Sequence, residues 1–174
     1  DWGIRGHEEP QLAELLDSLS GLGARFLSVR QIVDLVAAGE QPPDGAVAFS
    51  ADDGYSDQAE RLAPIFVDRQ IPLTIFAISG FLDGAIWPWD AKIAYSIQKT
   101  HLARIRMKIR RLDLELDLGS PRERLLARRE CQALAKTLPA DILDSFIDGM
   151  YEAAEVECPS SAPSAYRAMT WDQA

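Results

Sequence analysis

Residues 46–54 have the sequence Ala-Val-Ala-Phe-Ser-Ala-Asp-Asp-Gly, an apolar run that ends in two carboxylates and a glycine. The apolar part does not alternate with polar residues, which is typical of a strand buried on both faces in a parallel sheet. A helical pattern follows over about residues 56–70, and a second, mostly apolar run occupies residues 73–78. This order predicts a βαβ unit with a right-handed crossover.

The carboxyl ends of these two predicted strands are the natural place for a site. In parallel α/β sheets, the loops at the carboxyl ends of the strands hold the functional groups. Residues 52–54 follow the first predicted strand, and residues 80–84 follow the second. We therefore expect both loops to lie at one edge of the sheet.

Two helices are predicted before this unit. Leucines recur at helical spacing over residues 12–22, in a pattern that ends near Gly21 or Gly23. Ser28 and Gln31 have the spacing of a capping box, and the apolar pattern that they open stops at Gly39.

A β-hairpin is predicted where the hydrophobic period changes to two. Residues 103–109 and 112–118 both alternate, on either side of Arg110-Arg111. With that dipeptide as the turn, basic side chains face acidic ones and apolar side chains face each other. Because Arg-Arg lacks the Gly or Asn that a two-residue turn prefers, a longer loop stays open. The expected pairs are Lys108 with Asp113, Arg106 with Glu115, Arg104 with Asp117, Met107 with Leu114, and Ile105 with Leu116.

Two further helices follow the hairpin. Ser120 and Glu123 form a second capping box with Pro121 at the first helical position, and another helical pattern begins at Pro139. Because the hairpin and these helices interrupt the α/β pattern, residues 101–158 are predicted to be an insertion.

The last residues of the sequence predict the start of another helix. Thr170 and Gln173 have capping-box spacing, but the sequence stops at Ala174, before one turn is complete. We therefore expect residues 1–174 to be one partial domain, cut at both ends.

Composition excludes several classes of protein. The 174 residues carry a formal net charge of −9 and are 47% hydrophobic, which fits a globular domain and disfavours a nucleic-acid partner. No apolar run reaches the roughly 18 residues of a membrane span. No signal-peptide pattern or disulfide framework is visible, which favours the cytoplasm. Cys131 is expected to be a buried small side chain, and a disulfide with Cys158 stays open.

Asp52 and Asp53 are the candidate chemical groups. Two adjacent carboxylates at a strand end repel each other, and a metal bound by one would relieve that repulsion while the other stays available as a base. The alternative is an ordinary turn or helix start, where Asp and Gly are favoured.

Several segments resemble the polysaccharide deacetylase family, the NodB homology group that includes chitooligosaccharide and peptidoglycan deacetylases. Residues 48–57 resemble its Thr-Phe-Asp-Asp-Gly motif, and residues 71–76 are similar to its second strand, commonly Pro-Ala-Thr-Phe-Phe. Residues 80–82 and 87–90 resemble a loop and a Trp-Trp-Asp segment of one bacterial subgroup. Residues 169–172, Met-Thr-Trp-Asp, are similar to the stretch that leads into the family's second motif.

The resemblance implies a distorted (β/α) barrel. The chain is therefore expected to be a partial barrel of this type, with the hairpin and two helices predicted above as an insertion or subdomain. The resemblance also implies a metal-dependent hydrolase, with zinc as the expected divalent metal, that removes acetyl groups from N-acetylated sugars or polysaccharide. By position, Asp52 matches the catalytic base and Asp53 the metal ligand. Trp87 and Trp89 are candidate substrate contacts, although aromatic residues there more often pack in a core or at its rim.

The sequence departs from the family in two respects. Ser50-Ala51 replaces the usual Thr-Phe, and the His-Ser/Thr-x-x-His metal motif is absent. The two histidines, His7 and His101, are far apart and are expected at the surface. Since catalytic zinc typically has three protein ligands, we do not expect this polypeptide to catalyse deacetylation alone. The alternative is a non-catalytic relative that binds carbohydrate, with Phe81 joining Trp87 and Trp89 as the contact surface.

Overall fold

The computed structural model describes residues 9–109 and 112–174 of a mixed α/β chain. These residues form two compact units. Residues 9–86 together with 162–174 are called the parallel unit here, and residues 87–161 are called the hairpin unit. The hairpin unit contains the predicted insertion, residues 101–158, and also the helix before it.

The parallel unit contains short strands and helices in alternation. In chain order they are α1 Glu9–Gly21, β1 Arg25–Phe26, α2 Val29–Ala37, β2 Ala46–Val47, β3 Phe49–Asp53, a π-helical turn Gln58–Leu62, α3 Ala63–Val67, β4 Leu73–Ala77, α4 Ser79–Leu82 and a 3-10 turn Ser164–Tyr166.

The predicted strand–helix–strand arrangement is confirmed. β3 and β4 pair in parallel from Phe49 with Leu73 to Asp53 with Ala77. β1 and β2 also pair in parallel, and only Ala48 separates β2 from β3. One extended segment therefore pairs with β1 through its first part and with β4 through its second. In the described residues each sheet has two strands and none is closed, so the barrel stays a prediction.

The helix of the βαβ unit is less regular than its pattern predicts. Over residues 58–62 it is a π-helical turn, and the Ala63 N–H donates to the Gln58 carbonyl five residues earlier. Pro64 follows directly and has no N–H to donate to the preceding turn. This missing donor favours the local departure from α-helical bonding.

The core of the parallel unit lies on one face of β3 and β4. Leu16, Phe66 and Ile71 are buried there, and Phe49 and Leu73 pack against them. Side chains alternate along a strand, so Ser50 and Asp52 of β3 point to the opposite, exposed face. The capping box of α2 is formed as predicted, with both Ser28–Gln31 bonds present.

The hairpin unit contains a two-stranded antiparallel sheet and three helices. Its elements are α5 Trp89–Lys99, β5 Arg104–Ile109, β6 Leu112–Asp117, α6 Pro121–Ala135 and α7 Ala140–Ala153. Each of the five predicted cross-strand pairs is present in the predicted register. The predicted turn at Arg110 and Arg111 lies outside the described residues.

The core of the hairpin unit lies on one face of the hairpin. Apolar residues of β5 and β6 form a continuous buried cluster with residues of all three helices, including Phe146 and Met150, which are fully buried. The Ser120 side chain accepts the Glu123 N–H, which confirms the predicted cap of α6. The Arg124 guanidinium donates to the carbonyls of Leu118, Ile97 and Thr100 and so ties α6 to the preceding segments.

The cysteines have the environments expected of free thiols. Cys131 is buried, as predicted, and burial raises the pKa of its thiol to about 12. Cys158 is exposed, and both thiols are free, so the disulfide that the sequence left open is not formed. Among the described helices, none combines the length and apolar character needed to cross a bilayer.

Candidate active site at the carboxyl end of the parallel strands

Asp52 and Asp53 are the last two residues of β3. Strand pairing continues through both of them, with Asp52 beside Phe76 and Asp53 beside Ala77, whereas the sequence pattern placed the carboxylates after the strand. Their backbone is therefore fixed by the sheet, and side chains on such rigid elements are held more precisely than those on loops.

The backbone turns sharply at Asp53 and Gly54. Both residues have left-handed backbones, with φ of 77° at Asp53 and 82° at Gly54. A Cβ at Gly54 would lie 2.9 Å from Cβ of Ala77, so glycine is required here for space as well as for conformation. A left-handed backbone at a residue other than glycine is uncommon, but aspartate adopts it more readily than most residues, and Gln70 and Glu155 of this chain adopt it as well.

Two hydrogen bonds hold the backbone carbonyls of Asp52 and Asp53. Gln58 Nε2 donates to the Asp52 carbonyl at 2.6 Å, and the Ile78 N–H donates to the Asp53 carbonyl at 3.1 Å. Gln58 is also the first residue of the π-helical turn, a type of irregularity that is frequent at functional sites.

Gln58 has an unusual second feature. Its Oε1 is buried, and no group among the described residues donates to it. Sequence analysis missed Gln58, because a side-chain bond to a carbonyl six residues earlier across an irregular turn leaves no periodic signal.

The segment around residues 167–169 docks on the loop that follows Asp53. The Met169 N–H donates to the Gly54 carbonyl at 2.9 Å, and the Ser56 N–H donates to the Arg167 carbonyl at 3.0 Å. An antiparallel bridge joins Tyr55 and Ala168 between these bonds. The structure thus brings two of the segments that carry the family resemblance into direct contact.

The same part of the chain contains an ion pair at Arg167 and a turn that begins at Thr170. Arg167 Nη2 lies 2.6 Å from a carboxylate oxygen of Glu60, and this guanidinium holds the pKa of Glu60 below its usual range. The Thr170 N–H donates to Gln173 Oε1 at 2.9 Å, which is one bond of the predicted capping box. The Ala174 N–H donates to the Thr170 carbonyl at 3.2 Å, as in the first turn of an α-helix.

The two carboxylates differ in exposure. Asp52 is exposed and Asp53 is half-buried. Phe76, the register partner of Asp52, is 53% exposed, so an aromatic ring accompanies this carboxylate on the open face of the strand pair. A water molecule or a polar substrate can therefore reach Asp52.

The described residues do not make up a catalytic zinc site. They contain no group of three His, Cys, Asp or Glu side chains that could hold a metal ion, whereas catalytic zinc typically takes three protein ligands. By themselves, Asp52 and Asp53 offer carboxylate oxygens from two adjacent residues, which is one protein ligand fewer than catalytic zinc typically takes. His101 is exposed, as predicted, and the prediction for His7 lies outside the described residues.

Trp87 and Trp89 belong to the hairpin unit, whereas Asp52 and Asp53 belong to the parallel unit. Trp87 is only 5% exposed, and its ring makes an edge contact with Tyr95 at a centroid distance of 5.9 Å. Trp89 is partly buried against the apolar cluster of the hairpin unit. These surroundings favour packing, the alternative that the sequence left open for both residues.

Comparisons of this chain with family models, with curated proteins and with solved structures find no match.

Proposed function

We propose that this chain supplies part of the active site of a metal-dependent hydrolase that removes acetyl groups from N-acetylated sugars or polysaccharide. The observation that carries the proposal is the carboxylate pair at the end of β3. Its carbonyls are bonded to Gln58 and Ile78, and Asp53 is held in a left-handed backbone. The resemblance of residues 48–57 to the deacetylase motif gives the pair its proposed chemical role.

Asp52 is the proposed general base. Its carboxylate is exposed at a strand end, where it would accept the proton of the water that attacks the acetamide carbonyl. The rigid strand pairing on the Phe76 side would keep the carboxylate in place during that transfer.

Asp53 is the proposed metal ligand, with zinc as the metal that the resemblance implies. Since the described residues hold no set of three donors, the remaining ligands would have to come from outside them. The proposed activity therefore belongs to the full-length protein.

A second candidate follows from the same observation. If no further ligands join Asp53, the strand end would bind saccharide without hydrolysing it. This candidate is a non-catalytic, carbohydrate-binding relative of the deacetylases.

Acetate release separates the two candidates. The full-length protein, supplied with zinc, should release acetate from an N-acetylglucosamine oligomer, and removal of the metal with a chelator should abolish the release. If the protein binds neither zinc nor another divalent metal, the hydrolase proposal fails and the binding candidate takes its place.

A further inference from the structure

We propose that Trp171 is a stacking platform for a pyranose ring beside the carboxylate pair. Its side chain is 58% exposed, in contrast to the buried Trp87. Single exposed apolar side chains are common at protein surfaces, and Val67 of the same unit is 70% exposed, so the proposal depends on how the Trp171 ring is held.

The indole ring is held in place by a hydrogen bond. Trp171 Nε1 donates to Asp83 Oδ1 at 2.9 Å. Asp83 caps α4, the short helix that directly follows β4. The ring is thus tethered to the loop at the carboxyl end of β4, and less motional freedom is lost when a ligand stacks on it.

The backbone places Trp171 near the carboxyl end of β3 as well. The Met169 N–H bonds to the Gly54 carbonyl, and Trp171 lies two residues further along the chain. Met169 is itself buried, with 2% exposure, which anchors this segment on the parallel unit. The segment that contains Trp171 is therefore hydrogen-bonded both to the loop after β3 and to the loop after β4.

The chemistry of an exposed indole suits a saccharide. The ring face carries partial negative charge and attracts the weakly positive C–H groups on the flat face of a pyranose. The choice of an N-acetylated sugar as the ligand rests on the proposed function, whereas the platform itself rests on the exposure and tethering of Trp171.

The test is a titration of the protein with a soluble N-acetylglucosamine oligomer, followed by the indole N–H signals in a ¹H–¹⁵N spectrum. The signal that disappears in Trp171→Phe identifies Trp171. We expect the oligomer to shift this signal, and Trp171→Ala to weaken binding about tenfold, or about 1.4 kcal/mol. Val67→Ala, at a 70% exposed side chain of the same unit, is the matched control and should leave binding unchanged.

Two substitutions of Asp83 test the hydrogen bond that holds the indole ring. Asp83→Asn keeps an acceptor for the indole N–H and should bind as tightly as the wild type, whereas Asp83→Ala should weaken binding several-fold. The dispersion of the ¹H–¹⁵N spectrum shows that each variant is folded.

Two results would overturn the platform. One is equal affinity of the wild type and Trp171→Ala, and the other is no shift of the Trp171 signal at saturating oligomer. Neither result decides the proposed hydrolysis, which is judged by metal-dependent acetate release. Conversely, a shifted Trp171 signal, together with no acetate release by the zinc-supplied full-length protein, supports the platform and rejects the hydrolase.

Discussion

The hairpin unit and the parallel unit use their polar residues differently. In the hairpin unit the charged side chains lie on the outer face of β5 and β6 and pair across the strands, as Arg104 does with Asp117 at 2.7 Å. In the parallel unit two consecutive residues at the end of β3 carry carboxylates, among irregular backbone. Packing and charge pairing account for the charged residues of the hairpin. The parallel unit also has a core and ion pairs, but these do not account for its two consecutive carboxylates.

This difference points to where function resides. Natural sequences are locally consistent with their fold, and local conflicts concentrate at functional sites. The left-handed Asp53, the π-helical turn and the buried Oε1 of Gln58 all lie within residues 52–62. Left-handed backbones also occur at Gln70 and Glu155, so it is the combination of the three irregularities that distinguishes residues 52–62.

The largest expected effect tests the role of packing in the hairpin unit. Phe146→Ala removes a fully buried ring and should lower the free energy of unfolding by about 3–5 kcal/mol. Leu126→Ala, at a 53% exposed position of the same unit, should stay within about 0.5 kcal/mol. Urea unfolding followed by tryptophan fluorescence measures both, and equal losses would show that this cluster is not the stabilising core.

A smaller effect is expected at the strand end. Gly54→Ala adds a Cβ at 2.9 Å from Ala77 Cβ, so overpacking of about 1–3 kcal/mol adds to about 1 kcal/mol for the left-handed backbone. Gly84→Ala is the matched control, because Gly84 has a φ of 71° but open space around it. A larger loss of unfolding free energy for the Gly84 variant would contradict the close packing at Gly54.

The smallest effect concerns the docking of residues 167–169. The hydrogen bond from Arg167 lowers the pKa of Glu60, so the ionised carboxylate stabilises the folded state at pH values above its ordinary pKa of 4.5. This contribution is lost as the pH falls through the lowered pKa. The amide signals of Ser56 and Met169 should therefore shift below about pH 4.5, and the shift should be absent in Glu60→Gln. An identical titration in that variant would assign the change to another group.

The hairpin was predictable in detail because two independent patterns agree. The alternation of Ile105 and Met107 with basic residues matches that of Leu114 and Leu116 with acidic ones, and only one register satisfies both. The strands β3 and β4 were predictable from their apolar runs, and the helix caps at Ser28 and Ser120 from local spacing.

The details of the candidate site were not predictable. The bond from Gln58 to Asp52 depends on a π-helical turn, for which the sequence has no periodic signature. The docking of Met169 on Gly54 joins residues far apart in the chain, beyond the reach of local patterns. The tryptophans illustrate the same limit, because burial of Trp87 and exposure of Trp171 depend on tertiary packing.

The central claim is that Asp52 is a catalytic base rather than a turn residue. Its most direct test is acetate release by full-length Asp52→Asn with bound metal quantified in the same sample. Asp57→Asn serves as control, because Asp57 is also an exposed carboxylate of this loop. We predict at least a hundredfold loss of acetate release in Asp52→Asn with metal content retained, and little change in Asp57→Asn. Unchanged turnover in Asp52→Asn would contradict the account.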